Sequence, residues 1–329
     1  MFNKVFIGVT NRCNAHCFTC NREVFTDYEY NDEMPLSTIE KILPHTEQII
    51  YVGEMGDFIF HPQSLEIVEK TIHEYNVFMR TDTNGNLHRP EYWQQLGELM
   101  KGSDSYIRFM FDSLQNDLHR VGVQTDKVLE NMKTFINAGG QAHVKTILFN
   151  FNHEEVDEMS KVFQDVGVTK YDTIRSRIYQ DSGSLSAPPN TQSTLKVCDA
   201  VRQAKGGYDK IKIKECPWAK NKLCYVNEYG ELKTCCHLVF EGLPFASDID
   251  EFMRPYIGLD MFDDLMELYE HNKELINLNN EGVTVESAYN NEFNQTLIQN
   301  PSNYKICKYR CSLPNELKDK LLYETVIFQ

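Results

Sequence analysis

The first 180 or so residues alternate short runs of β-branched and aromatic residues with longer stretches in which apolar residues recur every three or four positions. Runs of the first kind are typical of buried strands, and stretches of the second kind are typical of amphipathic helices. Six strands are predicted, at residues 5–10, 48–52, 77–81, 106–111, 143–149 and 171–178.

The helical pattern is clearest at residues 126–138, between the fourth and fifth strands. Val128, Met132 and Phe135 share one face there, and Gly139 follows as a stop signal. Strands that alternate with helices predict an α/β fold with a parallel sheet. Because six strand–helix units are fewer than the eight of a closed barrel, we expect a partial (β/α)6 barrel with functional residues at the carboxyl ends of its strands.

The pattern changes after about residue 205, where shorter elements and cysteines replace the alternation of strands and helices. We therefore predict a barrel domain over residues 1–205 and a smaller C-terminal domain over residues 206–329. Within the second domain, Gly230 occupies a turn signal that predicts a β-hairpin.

The charge balance bears on the possible partners. Asp and Glu number 48 against 33 Lys and Arg, a formal charge of −15, which argues against a grip on nucleic-acid phosphates. No apolar run is long enough to cross a membrane, and the N-terminus does not resemble a signal peptide. We expect a cytoplasmic protein that uses neither nucleic acid nor membrane.

The cysteines are the residues that indicate a specific chemistry. The ten cysteines are Cys13, Cys17, Cys20, Cys198, Cys216, Cys224, Cys235, Cys236, Cys307 and Cys311. Disulfides are rare in the cytosol, so clustered cysteines there indicate metal binding or catalysis. The long gap after the first three predicts two separate metal-bearing regions.

Cys13, Cys17 and Cys20 follow the first predicted strand with the spacing C-x3-C-x2-C. Thiolates favour iron–sulfur clusters, copper(I) or zinc. A [4Fe–4S] cube usually takes four thiolates, so three would leave one iron open to a small molecule. A structural zinc site is the alternative, and it would need a fourth ligand such as His16.

The cysteine segment resembles the signature of the radical S-adenosylmethionine (SAM) superfamily, C-x3-C-aromatic-x-C, with Phe18 at the aromatic position. Three further segments are similar to family motifs in the expected order. Gly53-Glu-Met-Gly-Asp57 resembles the Gly-Gly-Glu motif, with Asp where Glu is usual. Thr83-Asn84-Gly85 resembles the TNG motif, and Phe111-Asp112-Ser113 resembles the segment that ends the fourth strand.

This resemblance covers about residues 5–180 and implies a [4Fe–4S] cluster on the three cysteines, with SAM on the open iron. One electron from the cluster would cleave SAM to methionine and a 5′-deoxyadenosyl radical, which abstracts a hydrogen atom from substrate. Gly53 would allow close approach of the backbone, and Asp57 would accept a hydrogen bond from the methionine amino group. The residues implied to bind the cofactor are Gly53, Asp57, Asn84, Asp112 and Asn150. Asp112 and Asn150 are equally well read as strand-end turn residues.

The C-terminal cysteines resemble a second motif. Cys216-x13-Gly230-x4-Cys235 is similar to the opening of the auxiliary-cluster domains called SPASM and Twitch. Together with Cys307 and Cys311 it supplies four thiolates, as in the shorter Twitch arrangement, which implies an auxiliary [4Fe–4S] cluster. A structural zinc site built from the same four residues is an alternative.

Three cysteines remain outside both sets. Cys198, Cys224 and Cys236 are either buried thiols or hydrogen-atom donors to a substrate radical, and Cys224 or Cys236 could replace an auxiliary ligand.

Substrate recognition is less clearly encoded. Arg175, Arg177 and Tyr179 follow the sixth strand, where they could bind a carboxylate or phosphate of the substrate or form a solvated surface. We expect an oxidoreductase-type radical SAM enzyme that modifies a peptide or protein by oxidation, epimerisation or cross-linking. A dehydrogenase of a small molecule is the alternative, and a non-enzymatic metal-binding scaffold is the third. The expected electron donor is a flavodoxin or ferredoxin.

Overall fold

A computed structural model describes most of the chain. The described residues are 1–20, 22, 31–52, 55–115, 118–176, 178–193, 196, 200, 203, 210, 212–238, 262–311 and 324–328. The chain forms two compact units, each assembled from separate stretches. Unit 1 consists of Met1–Arg12, Val24–Gly56 and Cys198–Pro314, and unit 2 consists of Cys13–Glu23, Asp57–Val197 and Asn315–Gln329. The predicted domain boundary at residue 205 stays a prediction.

The strands, in chain order, are β1 (Lys4–Ile7), β2 (His16–Cys17), β3 (Gln48–Tyr51), β4 (Phe78–Thr83), β5 (Tyr106–Met110), β6 (Arg120–Val121), β7 (Gln141–Leu148), β8 (Lys170–Arg175), β9 (Leu223–Val226), β10 (Leu232–Lys233) and β11 (Glu324–Ile327). All six strands predicted from the sequence are confirmed, with ends that differ by at most a few residues.

The helices, in chain order, are α1 (Leu36–Ile42), α2 (Ser64–Glu69), α3 (Pro90–Met100), α4 (Thr125–Asn137), α5 (Val156–Val166), α6 (Pro217–Lys220), α7 (Met266–Asn272), α8 (Val285–Tyr289), α9 (Glu292–Gln299) and α10 (Lys305–Cys311). A π-helical turn, Lys70–Glu74, extends α2. Short 3-10 helices occupy Leu43–His45, Phe58–Phe60, Lys273–Leu275 and Pro301–Asn303.

Unit 2 contains a run of parallel strands in the order β4, β5, β7, β8, with β11 antiparallel on the outer edge of β8. Helices α3 and α4 bury their apolar faces, and Trp93 of α3 lies 5.3 Å from Phe109 of β5 between ring centroids. Gly97 of α3 is needed for this packing, because a Cβ there would lie 2.4 Å from the Phe135 carbonyl oxygen of α4.

Unit 1 has its own strands. β1 lies between β3 and β9 and is parallel to both, with Val5 opposite Ile49 on one side and Cys224 on the other. β10 runs antiparallel to β9, and the chain turns between them at Gly230, whose φ is +86°. The hairpin predicted from the sequence is therefore confirmed.

The C-terminal part of unit 1 packs around an apolar cluster. Its buried members are Cys235, Leu238, Phe262, Leu265, Tyr269, Ile276, Phe293, Leu297 and Ile306. Cys307 packs against this cluster from α10, so the fold brings Cys235, which follows β10, and a cysteine of α10 into the same region.

The predicted α/β class is confirmed, since both units contain parallel strands connected through helices. None of the described helices is both long enough and apolar enough to serve as a transmembrane span.

Candidate functional site

The loop that carries Cys13, Cys17 and Cys20 is tied down at several points within unit 2. Strand β2, which contains Cys17, pairs antiparallel with β6. Arg22 Nη1 donates a hydrogen bond to the Cys13 carbonyl oxygen at 2.9 Å, and the Cys20 N–H donates to the Cys17 carbonyl oxygen at 2.9 Å. All three thiols are half-buried on this short, tethered segment.

Two of the three sulfurs accept hydrogen bonds from nitrogen donors. Cys13 Sγ accepts from the Ala15 N–H and from Asn84 Nδ2, each at 3.4 Å. Cys17 Sγ accepts from Arg120 Nη1 at 3.7 Å. Donors of this kind stabilise a thiolate, and hydrogen bonds to the sulfurs are among the factors that set cluster potentials.

Cys13 and Cys17 ionise less readily than free thiols in the absence of a bound cation. Burial, together with the negative charge of Asp57, raises the pKa of Cys13 to about 11. Burial also raises the pKa of Cys17, although Arg120 opposes this shift. The sulfurs raise one another's pKa, so they are close enough to repel as thiolates. A positively charged metal centre would offset both effects.

The donor set fits an open [4Fe–4S] cluster. Within the described part of the chain, no three His, Cys, Asp or Glu side chains converge closely enough to hold a single metal ion. The ligands of a cube sit on different irons, so they do not need to converge on one point. Three soft sulfurs on a tethered loop, with N–H donors on two of them, match what such a cluster requires.

Asp57 is buried, and both of its carboxylate oxygens accept hydrogen bonds from protein groups. One oxygen accepts from Thr83 Oγ1 at 3.0 Å and from the Asn84 N–H at 2.8 Å, and the other accepts from the Ile59 N–H at 3.4 Å. Burial raises the pKa of Asp57 to about 6, and these hydrogen bonds oppose the rise. Asp57 therefore holds the segment around Asn84, and its predicted contact with the methionine amino group stays a prediction.

Asn84 is the residue through which this segment reaches the cysteine loop. Besides its bond to Cys13 Sγ, its Nδ2 donates to Asn14 Oδ1 at 3.0 Å. Gly85 follows with φ +71°, and a Cβ there would lie 2.8 Å from the Phe109 ring. Glycine at this position lets the turn present Asn84 to Cys13.

Asp112 is fully buried and is also engaged by protein groups. One oxygen accepts from the Ile147 N–H at 2.7 Å, and the other lies 2.8 Å from His119 Nδ1 and 3.0 Å from Arg120 Nε. Burial opposes its ionisation, yet Arg120 and His119 hold the pKa of Asp112 below its usual value. Its predicted contact with SAM stays a prediction.

The sequence does not predict that His119, Arg120 and Asn14 belong to this site. No motif or spacing marks them, because their relation to the cysteines arises only when distant stretches of the chain pair. The match of Asp112 to a family segment was the nearest signal, and it pointed to the cofactor rather than to Arg120.

The other predicted cofactor and substrate residues occupy different surroundings. Asn150 is exposed, and its backbone N–H donates to the Ser186 carbonyl oxygen at 2.9 Å. Arg175 is exposed at the end of β8. Tyr179 is buried against Phe149, and its hydroxyl oxygen accepts from the Ser176 N–H at 3.0 Å. Gly53, Arg177 and Cys198 lie outside the described residues.

The C-terminal cysteines form a second group, within unit 1. Cys216 and Cys235 are buried, whereas Cys307 and Cys311 are half-buried on α10. Burial raises the pKa of Cys235, and Cys236, Cys311 and Cys307 raise it further. Burial likewise raises the pKa of Cys307, followed by Cys311 and Cys216. These electrostatic interactions connect all four predicted auxiliary ligands.

The two alternative ligands differ in position. Cys224 is fully buried in β9, where it is paired with Val5. Cys236 is half-buried, its Sγ lies 3.9 Å from His237 Nδ1, and its charge raises the pKa of Cys235. Both stay alternatives to an auxiliary ligand, and of the two only Cys236 raises the pKa of Cys235.

Comparison with known proteins places these residues in a family context. Residues 7–166 match the family model of the Radical SAM superfamily. Among curated proteins, the tungsten-containing aldehyde ferredoxin oxidoreductase cofactor-modifying protein of Pyrococcus furiosus is 23% identical over 257 residues, which is 70% of each chain.

Among solved structures, SuiB of Streptococcus suis bound to S-adenosylmethionine is similar, with a TM-score of 0.51 and 13% identity over 73% of this chain. This chain spans 61% of the SuiB chain. The native anSMEcpe structure with bound AdoMet has a TM-score of 0.52 and 14% identity over 90% of this chain and 82% of that one. These similarities confirm the predicted fold class, the partial barrel of radical SAM enzymes.

Proposed function

This chain is a radical SAM enzyme, with its radical SAM domain at residues 7–166, and we propose that it reductively cleaves S-adenosylmethionine to abstract a hydrogen atom from a peptide or protein. The observation that carries this proposal is the tethered loop with Cys13, Cys17 and Cys20, two of whose sulfurs accept N–H donors.

The three cysteines would hold a [4Fe–4S] cluster and leave one iron free for the amino and carboxylate groups of SAM. When bound and reduced, this pair supplies the 5′-deoxyadenosyl radical. Asn84 and Arg120 direct N–H groups at two of the sulfurs and so stabilise them as thiolates. Asp57 orients Asn84 by accepting its backbone N–H.

We propose that Cys216, Cys235, Cys307 and Cys311 hold an auxiliary [4Fe–4S] cluster in a Twitch-like domain. Support comes from their mutual electrostatic interactions and from the packing of Cys235 and Cys307 at one apolar cluster. A cluster with four protein ligands would serve as an electron acceptor or store, because no iron is left for a substrate. Zinc at the same four residues is the competing assignment.

The choice of a peptide substrate draws on the structural relatives. SuiB has been solved with its precursor peptide SuiA, at a TM-score of 0.50 to this chain, and anSMEcpe with the Kp18Cys peptide, at 0.52. A small-molecule substrate is the second candidate, since the Pyrococcus furiosus relative is a cofactor-modifying protein. In either case Arg175, Arg177 and Tyr179 stay candidate substrate contacts.

Two further roles belong to the proposal. Cys198, Cys224 or Cys236 would donate a hydrogen atom if the outcome is epimerisation. The electron for SAM cleavage would come from a flavodoxin or ferredoxin.

Anaerobic purification with iron, sulfide and zinc analysis tests the metal assignment. Two [4Fe–4S] clusters predict about eight irons and about eight sulfides per chain, and dithionite with SAM should yield 5′-deoxyadenosine. Stoichiometric zinc in the N-terminal site, or iron without any 5′-deoxyadenosine, would contradict the proposed function.

A deuterium-transfer experiment separates the two substrate classes. Deuterated peptide libraries and deuterated small-molecule extracts are incubated with the enzyme and SAM, and deuterium is measured in 5′-deoxyadenosine by mass spectrometry. Transfer from the peptide pool supports peptide modification, whereas transfer from the small-molecule pool alone favours the second candidate.

A further inference from the structure

A buried cluster of a carboxylate, an imidazole and a guanidinium contacts the cysteine loop in unit 2. It consists of Asp112, His119 and Arg120, here called the Asp112 clamp. We propose that Asp112, acting through Arg120 and His119, positions the loop and holds a positive charge against Cys17 Sγ. The charge part rests on the proposed function, because it takes Cys17 as a cluster ligand.

The first half of the clamp joins Asp112 to β6. One carboxylate oxygen lies 3.0 Å from Arg120 Nε and 2.8 Å from His119 Nδ1. The side chains of Asp112, His119 and Arg120 are 0%, 1% and 8% exposed. Because one buried carboxylate contacts two adjacent residues, it restricts the rotamers of both.

The second half joins β6 to three consecutive residues of the loop. Arg120 Nη1 donates to Cys17 Sγ at 3.7 Å, and the Phe18 N–H donates to the His119 carbonyl oxygen at 3.3 Å. His119 Nε2 is hydrogen-bonded to Thr19 Oγ1 at 3.1 Å. The ladder between β2 and β6 adds the pairing of Cys17 with Arg120. Cys17 and Thr19 are therefore held by side chains that Asp112 contacts, and Phe18 is held by the backbone of His119.

Asp112 is itself anchored to the sheet. Its second carboxylate oxygen accepts from the Ile147 N–H of β7 at 2.7 Å, and its carbonyl oxygen accepts from Asn152 Nδ2 at 2.6 Å. The clamp thus transmits the rigidity of the parallel strands of unit 2 to a loop that has little regular structure of its own. Asp112 is a positioning residue in this scheme.

The charge of Arg120 has a separate consequence. A guanidinium stays protonated at all accessible pH values, and a charge in a buried site is weakly screened. Reduction adds a negative charge to a cluster, so a nearby cation favours the reduced form. Removing the Arg120 charge should make the cluster harder to reduce.

Redox titration of the reconstituted full-length enzyme tests the charge. The variants are Arg120→Gln and Arg120→Lys, and Arg108→Gln is the matched control, because Arg108 pairs with Asp82 in the same unit. The cluster is identified by its EPR signal, which changes when SAM is added. For Arg120→Gln we expect the equilibrium constant of reduction to fall about tenfold, about 59 mV for a one-electron couple. Arg120→Lys should stay within about twofold of the wild type, as should the control.

Equal potentials for Arg120→Gln and the wild type would overturn the charge assignment. A purely structural role would also be revealed, because Arg120→Lys and Arg120→Gln would then shift the potential together.

Hydrogen exchange of the apo-protein tests positioning without any cluster. Asp112→Asn keeps the size of the side chain and removes its charge, and Asp82→Asn is the matched control. We expect exchange of residues 13–20 to quicken at least about tenfold in Asp112→Asn and to stay unchanged in Asp82→Asn. Unchanged exchange of the loop, or an equal increase across α3 and α5, would overturn a local clamp. Because the hydrogen-exchange experiment needs no iron, it tests whether Asp112 positions the loop even if the metal analysis contradicts the proposed function.

Discussion

The two cysteine regions of this protein are built in opposite ways. The N-terminal region gathers its thiols within eight residues of one loop, and Asn84 and Arg120 place nitrogen donors on two of the sulfurs. The C-terminal region collects its thiols from distant stretches of unit 1, and Cys235 lies inside an apolar cluster. The thiols of one region are close in sequence and accept hydrogen bonds from polar groups, whereas those of the other are dispersed in sequence and two of them pack against apolar side chains.

The two arrangements suit different kinds of metal centre. N–H donors and a guanidinium around a three-thiol loop stabilise negatively charged sulfurs, which would hold a cluster with one open iron. Four thiols, two of which lie at an apolar cluster, would suit a closed metal centre that exchanges electrons and binds no substrate. Four predictions test whether the two regions differ in this way, and they are given in order of decreasing effect.

The largest effect is expected from Cys13→Ala. Loss of one of three protein ligands should remove the N-terminal cluster, so 5′-deoxyadenosine formation should fall to background, at least about a hundredfold. The measurement is product formation with dithionite and SAM after anaerobic reconstitution. Product formation at the wild-type rate would show that Cys13 is not a ligand.

Cys307→Ala should affect the other region selectively. We expect a loss of about four irons per chain, while the cluster that responds to SAM and the cleavage of SAM are both retained. Iron analysis and EPR with and without SAM provide the measurement. An unchanged iron content would refute the auxiliary ligand set, and a loss of both clusters would refute the independence of the two regions.

Asp57→Asn should alter the pH dependence of stability. Because burial raises the pKa of Asp57 to about 6 from 3.8, the folded protein keeps a proton between about pH 4 and pH 6 that the unfolded chain releases. The free energy of unfolding therefore falls as the pH rises through this window, by about 3 kcal/mol in total, and is level above it. In Asp57→Asn, the free energy of unfolding should not decrease across this pH window.

Urea unfolding of the apo-protein from about pH 2 to pH 7 measures the effect and includes the range in which Asp82 titrates. Asp82→Asn is the control with the opposite sign, because Arg108 lowers the pKa of Asp82 in spite of its burial. The contribution of Asp82 is lost as the pH falls, below about pH 4. Parallel pH profiles for Asp57→Asn and the wild type would disprove the raised pKa.

The smallest effect is expected from Cys224→Ala. Cys224 is fully buried in β9, so the change should cost about 1 kcal/mol of stability and leave the iron content of both regions unchanged. Thermal unfolding and iron analysis of the reconstituted protein check this. A loss of iron would place Cys224 among the auxiliary ligands and would revise the assignment of Cys216 or Cys235.

Much of the fold was predictable because its signals are local. Each of the six strands is a short apolar run bounded by turn residues, and the end of α4 is marked by Gly139, whose φ is +107°. The hairpin at Gly230 likewise needs only a glycine with positive φ between two strand-forming segments. Periodicity and turn chemistry act over a few residues, so they can be read without the tertiary structure.

The functional site also combines features that are local in sequence with contacts between distant residues. Cys13, Cys17 and Cys20 are adjacent in sequence, so their spacing alone indicated soft-metal chemistry. By contrast, Asp57 and Asp112 each matched a family segment, but the sequence did not reveal that their carboxylates are occupied by Asn84 and Arg120.

The strand–helix order, the three-cysteine loop and the thiols of the C-terminal part can be recognised in the sequence alone. The nitrogen donors that face the sulfurs, and the buried carboxylates that hold those donors in place, are known only from the folded structure. The reason is that Arg120 is 103 residues from Cys17, and Asn84 is 71 residues from Cys13. Such contacts depend on the pairing of β2 with β6 and on the turn after β4, and no local pattern specifies them.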